Sequence, residues 1–416
     1  MNASEYILPN DLGYSARSCK LERTTPKALS LRKFMKVVIP QNELLKALVV
    51  SSRSLVNKAN LPILSNVLLV STSNKMEIIT TNLETAVKAS VECKVEAEGR
   101  VTVPGRAFWE YVSQIPNLDV VIEKLGEEVV LSTKGYKARF ATLPVEEFPA
   151  IPKIGGGKSF EVEVKSFLEG ASRVAFSAAQ DESRPILTGV LCEINKKGMV
   201  MVATDGYRLS YHEMPIDGGE LLAGTRLVVP AKTIIEVAKI ISEVGAGGEG
   251  GKVSVVVADN LSQVNFGVGD VEFTSRLIEG EFPGWQKIIP STFVSRAVIS
   301  KQDFVNVVKA ASIFARDSGS IVRLKLGSSK PGGDGTLGVS AATAQIGSSD
   351  AEIAVKFDGN GGEIAFNFRY LLEALSVIDG EDVVFEMNES LNPGRLTSLE
   401  GKDKFFHIIM PVRLQG

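Results

Sequence analysis

The chain is poor in the residues from which most enzyme sites are built. It has only two histidines, His212 and His407, and three cysteines, Cys19, Cys93 and Cys192, none at metal-ligand spacing. A zinc site, a histidine-based triad and a disulfide framework all lack parts. The cysteines read as small, reduced, apolar residues of a cytoplasmic protein. No apolar run reaches the ~20 residues of a membrane helix; the longest, such as Val253–Ala258, are strand-sized. Basic excess is missing too. The net charge is −3, whereas a protein that grips DNA through its phosphates carries a clear positive balance. Nucleic acid is therefore either not touched or held loosely. What is present excludes a disordered chain: 44% of residues are hydrophobic and 23% charged. A length of 416 residues suits roughly two to four domains.

Residues 1–34 differ from the rest. They carry six Lys/Arg and three Asp/Glu without sustained periodicity, and Phe34-Met35-Lys36-Val37-Val38-Ile39 then opens a clear strand. An upstream start codon with Met35 as the working start, a disordered tail and a targeting segment all compete. Glu5, Asp11 and Glu22 count against a transit peptide, and a signal peptide would need an apolar core. The first reading is favoured.

The remainder is a threefold repeat. Val38-Ile39-Pro40 leads into an amphipathic helix at Leu44–Val50. Val162-Glu163-Val164 leads to Phe167–Ala171, and Val298-Ile299-Ser300 to Phe304–Val308. Leu44, Phe167 and Phe304 align at separations of 123 and 137. Leu61-Pro62-Ile63-Leu64 matches Arg184-Pro185-Ile186-Leu187, with Ile321-Val322-Arg323-Leu324 in the third copy. A second helix follows in each copy, over Arg106–Gln114, Lys232–Glu243 and Tyr370–Val377. Pro104 and Pro230 stand just ahead of two of them, where a missing N–H costs nothing. Short strands with period-two alternation fill the gaps, among them Met76–Thr80, Val87–Val91, Val129–Ser132 and Tyr136–Thr142. The reading is α+β: three domains, each two helices packed on antiparallel sheets, over residues 35–155, 156–292 and 293–416. Three like domains in a row continue one curvature, and two chains could close a ring if the rotation allows.

Two glycine-rich runs mislead. Gly155-Gly156-Gly157-Lys158-Ser159 resembles the end of a phosphate loop, but Pro152 stands where a glycine is needed and a strand follows. Gly245-Ala246-Gly247-Gly248-Glu249-Gly250 fits a dinucleotide fingerprint in reversed context, helix first and strand second. Both read as connections.

Three runs carry a family resemblance. Ala203-Thr204-Asp205-Gly206-Tyr207-Arg208-Leu209, Glu279-Gly280-Glu281-Phe282-Pro283-Gly284-Trp285 and His407-Ile408-Ile409-Met410-Pro411-Val412-Arg413-Leu414 are similar to signatures of the bacterial β sliding clamps. The similarity spans about residues 35–414, in order. It implies half of a closed ring: a head-to-tail homodimer of six domains, helices lining the hole and sheets outside, with duplex DNA threaded through without regard to sequence. It implies a processivity subunit rather than an enzyme, no cofactor, and ATP use confined to the clamp loader. Its partners would be the polymerase catalytic subunit, the loader, and other replication and repair proteins that carry a clamp-binding peptide.

Site residues follow from the same resemblance. The peptide groove would comprise Leu187, Thr204, Gly206, Tyr207, Arg208, Leu209, Pro283, Ile288, Asn367, Tyr370, Met410, Pro411, Val412, Arg413 and Leu414. The chemistry suits an apolar guest: aliphatic residues and an adaptable Met form a floor, tyrosines give flat faces with a hydroxyl, and Arg208, Arg413 and Asn367 fix polar atoms at the rim. Lys58 and Arg184 match family positions near DNA; Pro185 and Ile186 stand where the family often has aromatics, which weakens stacking there. Arg53, Arg106, Lys232 and Lys309 join them as DNA-proximal candidates on the inner helices. A tether that slides needs only a mild positive bias. Ring closure would pair an edge strand at Lys137–Phe140 with a helix end at Ile313 and Phe314.

Two rivals remain. An enzyme would need converging acid, base or nucleophile; Asp205 is the best single residue, yet Asp-Gly is also a turn former. A β-rich protein-interaction scaffold that never encircles DNA is the other.

Overall fold

The computed structural model describes residues 35–413, apart from 57–59, 152–153, 155–156, 197, 246–247, 249, 329–333 and 402–403. The first domain runs β1 (Lys36–Pro40), α1 (Gln41–Ser51), β2 (Asn66–Thr72), β3 (Lys75–Thr81), β4 (Thr85–Glu92), β5 (Lys94–Ala97), β6 (Gly99–Pro104), α2 (Gly105–Gln114), β7 (Asp119–Leu125), β8 (Glu128–Thr133) and β9 (Tyr136–Ala141). The second repeats this as β10 (Lys158–Glu163), α3 (Val164–Val174), β11 (Gly189–Asn195), β12 (Gly198–Thr204), β13 (Arg208–Met214), β14 (Arg226–Pro230), α4 (Ala231–Glu243), β15 (Lys252–Val257), β16 (Gln263–Val268) and β17 (Val271–Arg276). The third is β18 (Ser295–Ser300), α5 (Lys301–Ala315), β19 (Ile321–Ser328), β20 (Asp334–Thr343), β21 (Gly347–Gly359), β22 (Gly362–Asn367), α6 (Phe368–Val377), β23 (Asp382–Met387), β24 (Gly394–Ser398) and β25 (Phe405–Ile409).

The helices start where the sequence locks the backbone. Pro40, Pro104 and Pro230 occupy the cap before α1, α2 and α4, where the fixed φ of proline sets the entry. Ser300 and Asn367 cap α5 and α6 with side-chain oxygens that accept from Asp303 and Arg369 amides. Leu44, Phe167 and Phe304, aligned by the repeat, are all core residues at 0%, 2% and 0% exposure. The proline runs and their third-copy match differ in structure: Ile321 already lies in β19, at the ladder position of Asn66 and Gly189. Pro62–Ser65 and Pro185–Thr188 form 3-10 turns before their strands, because proline has no N–H to give a ladder.

The six helices form one row: α2 packs on α1, α1 on α4, α4 on α3, α3 on α6 and α6 on α5. Sheets run continuously across the domain seams. At the first seam β17 pairs β4, with Glu272 opposite Lys88 and Ser275 opposite Thr85. At the second seam β25 pairs β13, with Phe406 opposite Tyr211 and Ile409 opposite Arg208. Each seam thus joins the last strand of one domain to the third strand of the large hairpin of the domain before it. β9 closes one end of its five-stranded sheet. β21 pairs β18 only through Lys356–Gly359, so one side of its first half has no strand partner among the described residues.

One apolar cluster runs unbroken through the first two domains, from Met35 to Leu277. The third domain has its own. Two smaller clusters lie on the opposite face of the sheets, where the connections between domains cover them: Phe148 with Leu64 and Ile79, and Phe282 and Trp285 with Leu209 and Ile408.

Candidate functional site

The second seam is where most of the expected groove residues meet. Asp205 and Gly206 make the turn between β12 and β13. Asp205 Oδ1 accepts the amides of Tyr207 at 2.8 Å and Arg208 at 3.0 Å. Thr204 Oγ1 donates to the Arg208 carbonyl at 2.6 Å and accepts from the Gly206 amide at 3.0 Å. Gly206 has φ +93°, a conformation suited to glycine. These bonds account for Asp205 as a structural residue. The turn carries Tyr207 outward, 66% exposed.

Arg208 is 7% exposed and organises the seam. Its Nε meets Asp205 Oδ2 at 3.0 Å, Nη2 donates to the Phe176 carbonyl at 2.8 Å, and Nη1 pairs with Glu373 on α6 of the third domain. The guanidinium lies 4.5 Å from the Tyr370 ring centre and 5.3 Å from that of Phe176, the geometry of cation–π contact. Burial and the Asp205 charge hold the Tyr370 hydroxyl above its ordinary range. Beneath, His407 stacks on Phe176 at 5.5 Å and its Nδ1 shares a proton with Ser210 Oγ at 2.8 Å. Burial pushes His407 down to about 3, so it is neutral at physiological pH.

The tail after β25 completes the cleft. The Met410 amide donates to the Tyr207 carbonyl and the Val412 amide to the Ala365 carbonyl, both at 2.8 Å. Met410, Pro411 and Val412 are half-buried and Arg413 is exposed. Leu187 and Leu209 are buried, Ile288 half-buried and Pro283 exposed. Asn367 Oδ1 accepts the Arg369 amide at 2.9 Å as a helix cap. Leu414 lies outside the described residues, as does Lys58.

The expected DNA-proximal residues divide. Lys232 and Lys309 are exposed. Arg106 is exposed but bonds Glu110 one turn on, at 2.8 Å. Arg53 does not present a free charge: it is held at the first seam between Glu236, at 3.2 Å, and Glu243. Arg184 stands over the groove turn, its Nη1 3.7 Å from where a β-carbon of Gly206 would sit. Across the six helices, nine basic and seven acidic side chains leave a slight positive excess. At the expected closing surfaces, Lys137 is exposed and Phe140 packs on Phe108 at 5.1 Å. Ile313 is 53% exposed, so it is not helix core; Phe314 packs on the third core.

Sequence reasoning missed Glu373, Phe176 and the Arg173–Asp379 pair, which also bridges the second seam. Glu373 had a signal: it occupies the place in its helix that Glu236 and Glu110 occupy in theirs.

Three like domains, one row of helices and sheets continuous across seams are the architecture of a sliding clamp. The chain belongs to the DNA polymerase III beta subunit family: residues 35–152 match its N-terminal domain, 161–284 its central domain and 286–413 its C-terminal domain. It is 30% identical to the beta sliding clamp of Pseudomonas aeruginosa over 385 residues, 91% of this chain and all of that one. The Synechocystis beta sliding clamp is 29% identical over 399 residues, again 91% of this chain and all of that one. The DNA polymerase III beta subunit of Thermotoga maritima superposes with a TM-score of 0.83 at 27% identity, covering 92% of this chain and all of the other. As a member of this family the chain is a DNA sliding clamp that tethers a polymerase and has no catalytic activity of its own; DNA, polymerase and clamp loader are its general partners. Among the described residues no helix is long and apolar enough to cross a membrane.

Proposed function

We propose that two copies of the chain join head to tail into a closed ring around duplex DNA, and that each copy holds the replicative polymerase, the loader and repair proteins by a short apolar peptide in the cleft of the second seam. The three domains are taken as residues 35–155, 156–292 and 293–416.

One observation carries the ring. Both internal seams pair the last strand of one domain with the same strand of the domain before, and the two partners still free are β9 and the first half of β21. Carrying the internal register over sets Lys137 opposite Asp350 of the second copy, and Phe140 opposite Gly347. The pairs suit each other. Lys137 and Asp350 are of opposite charge, as are Glu272 and Lys88 at the same position of the first seam, where they form an ion pair; Phe406 and Tyr211 stack there at the second, 4.5 Å apart. Gly347 leaves room for Phe140, and the Phe314 ring edge lies 3.9 Å from where its β-carbon would be. Ile313, equivalent to Arg53 and Phe176 of the internal seams, gains a surface to cover.

The slight positive excess on the helices supports DNA held without drag, with Lys232, Lys309, Arg106 and Arg184 as the nearest cations among the described residues. Supporting the cleft are its apolar residues, the exposed Arg413 and the tail that runs along it. A related clamp, from Pseudomonas aeruginosa, has been solved bound to griselimycin; it is 27% identical, with a TM-score of 0.82 over 92% of this chain and all of the other. The test is solution mass, then loading onto nicked circular DNA. A dimer retained on circles and released on linearisation is the expected result. A monomer, or equal retention on linear DNA, would leave a protein-binding scaffold instead.

A further inference from the structure

A recess of about 580 Å³ opens on the third domain between the free half of β21 and the tail after β25. Two guanidiniums line it, Arg323 and Arg413, with the hydroxyls of Ser318, Ser340 and Ser348 and a single carboxylate, Asp350. The strand registers place these groups in a row. The Val412 amide bonds the Ala365 carbonyl at 2.8 Å; Ala365 pairs with Arg323, Arg323 with Ser340, and Ser340 with Asp350. Paired residues of antiparallel strands send their side chains to the same face, here the face turned away from α5. The row therefore runs from the cleft's tail to the edge that closes the ring.

Two cations and one anion leave the recess positively biased. Arg323 has a further contact with Glu363 at 3.8 Å, both side chains about half exposed, a long and weak pairing. Asp350 is the residue that ring closure sets against Lys137 of the second copy. Closure draws its charge toward that lysine and away from the recess, which leaves the two guanidiniums the less compensated.

We propose that this recess is an anion subsite for the carboxylates of an acidic segment flanking the apolar anchor of a docked partner peptide, and that Lys137 of the second copy completes it. The inference rests on the ring reading. Strands lie about 4.8 Å apart, so Arg323 is about 10 Å from the tail, the span of about three extended residues. An acidic pair some three to five residues from the anchor would reach both guanidiniums. A clamp that reads such a segment would hold partners better on a closed ring than on an open one.

The test uses the full chain and three synthetic peptides: an apolar anchor, the anchor extended by four residues with two glutamates, and the same extension with two glutamines. Fluorescence anisotropy near 0.1 M salt should show the glutamate peptide binding the dimer about fivefold tighter than the glutamine peptide, the scale of one or two exposed charge pairs. Arg323→Gln should erase that difference and leave the glutamine peptide's affinity unchanged. Lys137→Ala should shrink it, and Asp350→Asn should restore it. Free glutamate at peptide concentration should not compete; if it does, the site takes small anions and the peptide assignment falls. Equal binding of the two extended peptides overturns the subsite. A difference that ignores Lys137→Ala and Asp350→Asn overturns the coupling to closure. If the native chain has the mass of a monomer, the ring reading has failed; Asp350→Asn then still decides the subsite, because it should reveal the glutamate preference in the monomer.

Discussion

Glu236 on α4 and Glu373 on α6 occupy the same position of the repeat, and each binds an arginine of the preceding domain, Arg53 and Arg208 respectively. The seams are thus latched twice by a helix carboxylate reaching back. Glu110 holds this position on α2 and pairs instead with Arg106 of its own helix. At the closing edges the places of Arg53 and Arg208 are taken by Ile313 and Gly347. Each internal seam is ionic at one of these two positions, and the proposed intermolecular seam at neither.

That contrast predicts how the dimer fails. Ile313→Asp places a charge on a half-exposed residue whose removal from the core costs nothing, so the monomer should fold with an unchanged Tm. Its mass by light scattering should fall to that of one chain. A dimer that survives this substitution would sink the seam as drawn.

Arg208 is buried among one carboxylate turn, two rings and a carbonyl. Arg208→Ala should weaken an apolar clamp-binding peptide at least about tenfold, and should destabilise the chain by roughly 2–4 kcal/mol, since Asp205 and the Phe176 carbonyl lose their donor. Glu373→Gln should cost only about 1 kcal/mol, because that carboxylate is half exposed. Calorimetry and peptide titration read both. Equal effects from the two variants would show that Arg208 acts through Glu373 alone.

The histidines set an acid limit. Burial, with Arg208 nearby, lowers His407 from 6.5 to about 3, and burial with Arg173 nearby lowers His212 to about 4. The unfolded chain binds these protons first. Stability is therefore full above pH 6.5 and is lost as pH falls towards 4 and 3. At pH 5 the loss should be about 2 kcal/mol per histidine. Urea melts of the wild type and of His212→Gln should converge as the pH drops, since the variant lacks one of the two titrations. Parallel curves would contradict the assignment.

A loosely held duplex has its own signature. Affinity for a short linear duplex should be weak and its salt dependence shallow, because few counterions are released. Lys232→Glu combined with Lys309→Glu should shorten retention on circular DNA while leaving the dimer's mass unchanged. A steep salt slope would point to a gripping protein.

The sequence made the repeat legible because each copy must bury the same helix face: Leu44, Phe167 and Phe304 are interchangeable core anchors, and period alone exposed them. The turn at Asp205-Gly206 was legible for the same local reason. What stayed hidden was tertiary. Arg53 looked like a free cation because Glu236 and Glu243 lie some 190 positions further on. Asn367, just ahead of α6, is of a residue type that caps helices, and its Oδ1 does so. Phe176 gave no sign that it would carry His407 on one side and Arg208 on another.

The unbroken core of the first two domains has a thermodynamic consequence. They should melt as one cooperative block, with the third domain free to uncouple, so the subunit bends most readily at the junction that contains the peptide cleft. On the proposed reading, a peptide bound there would splint the junction, and a splinted junction would hold the closing edges at a fixed separation.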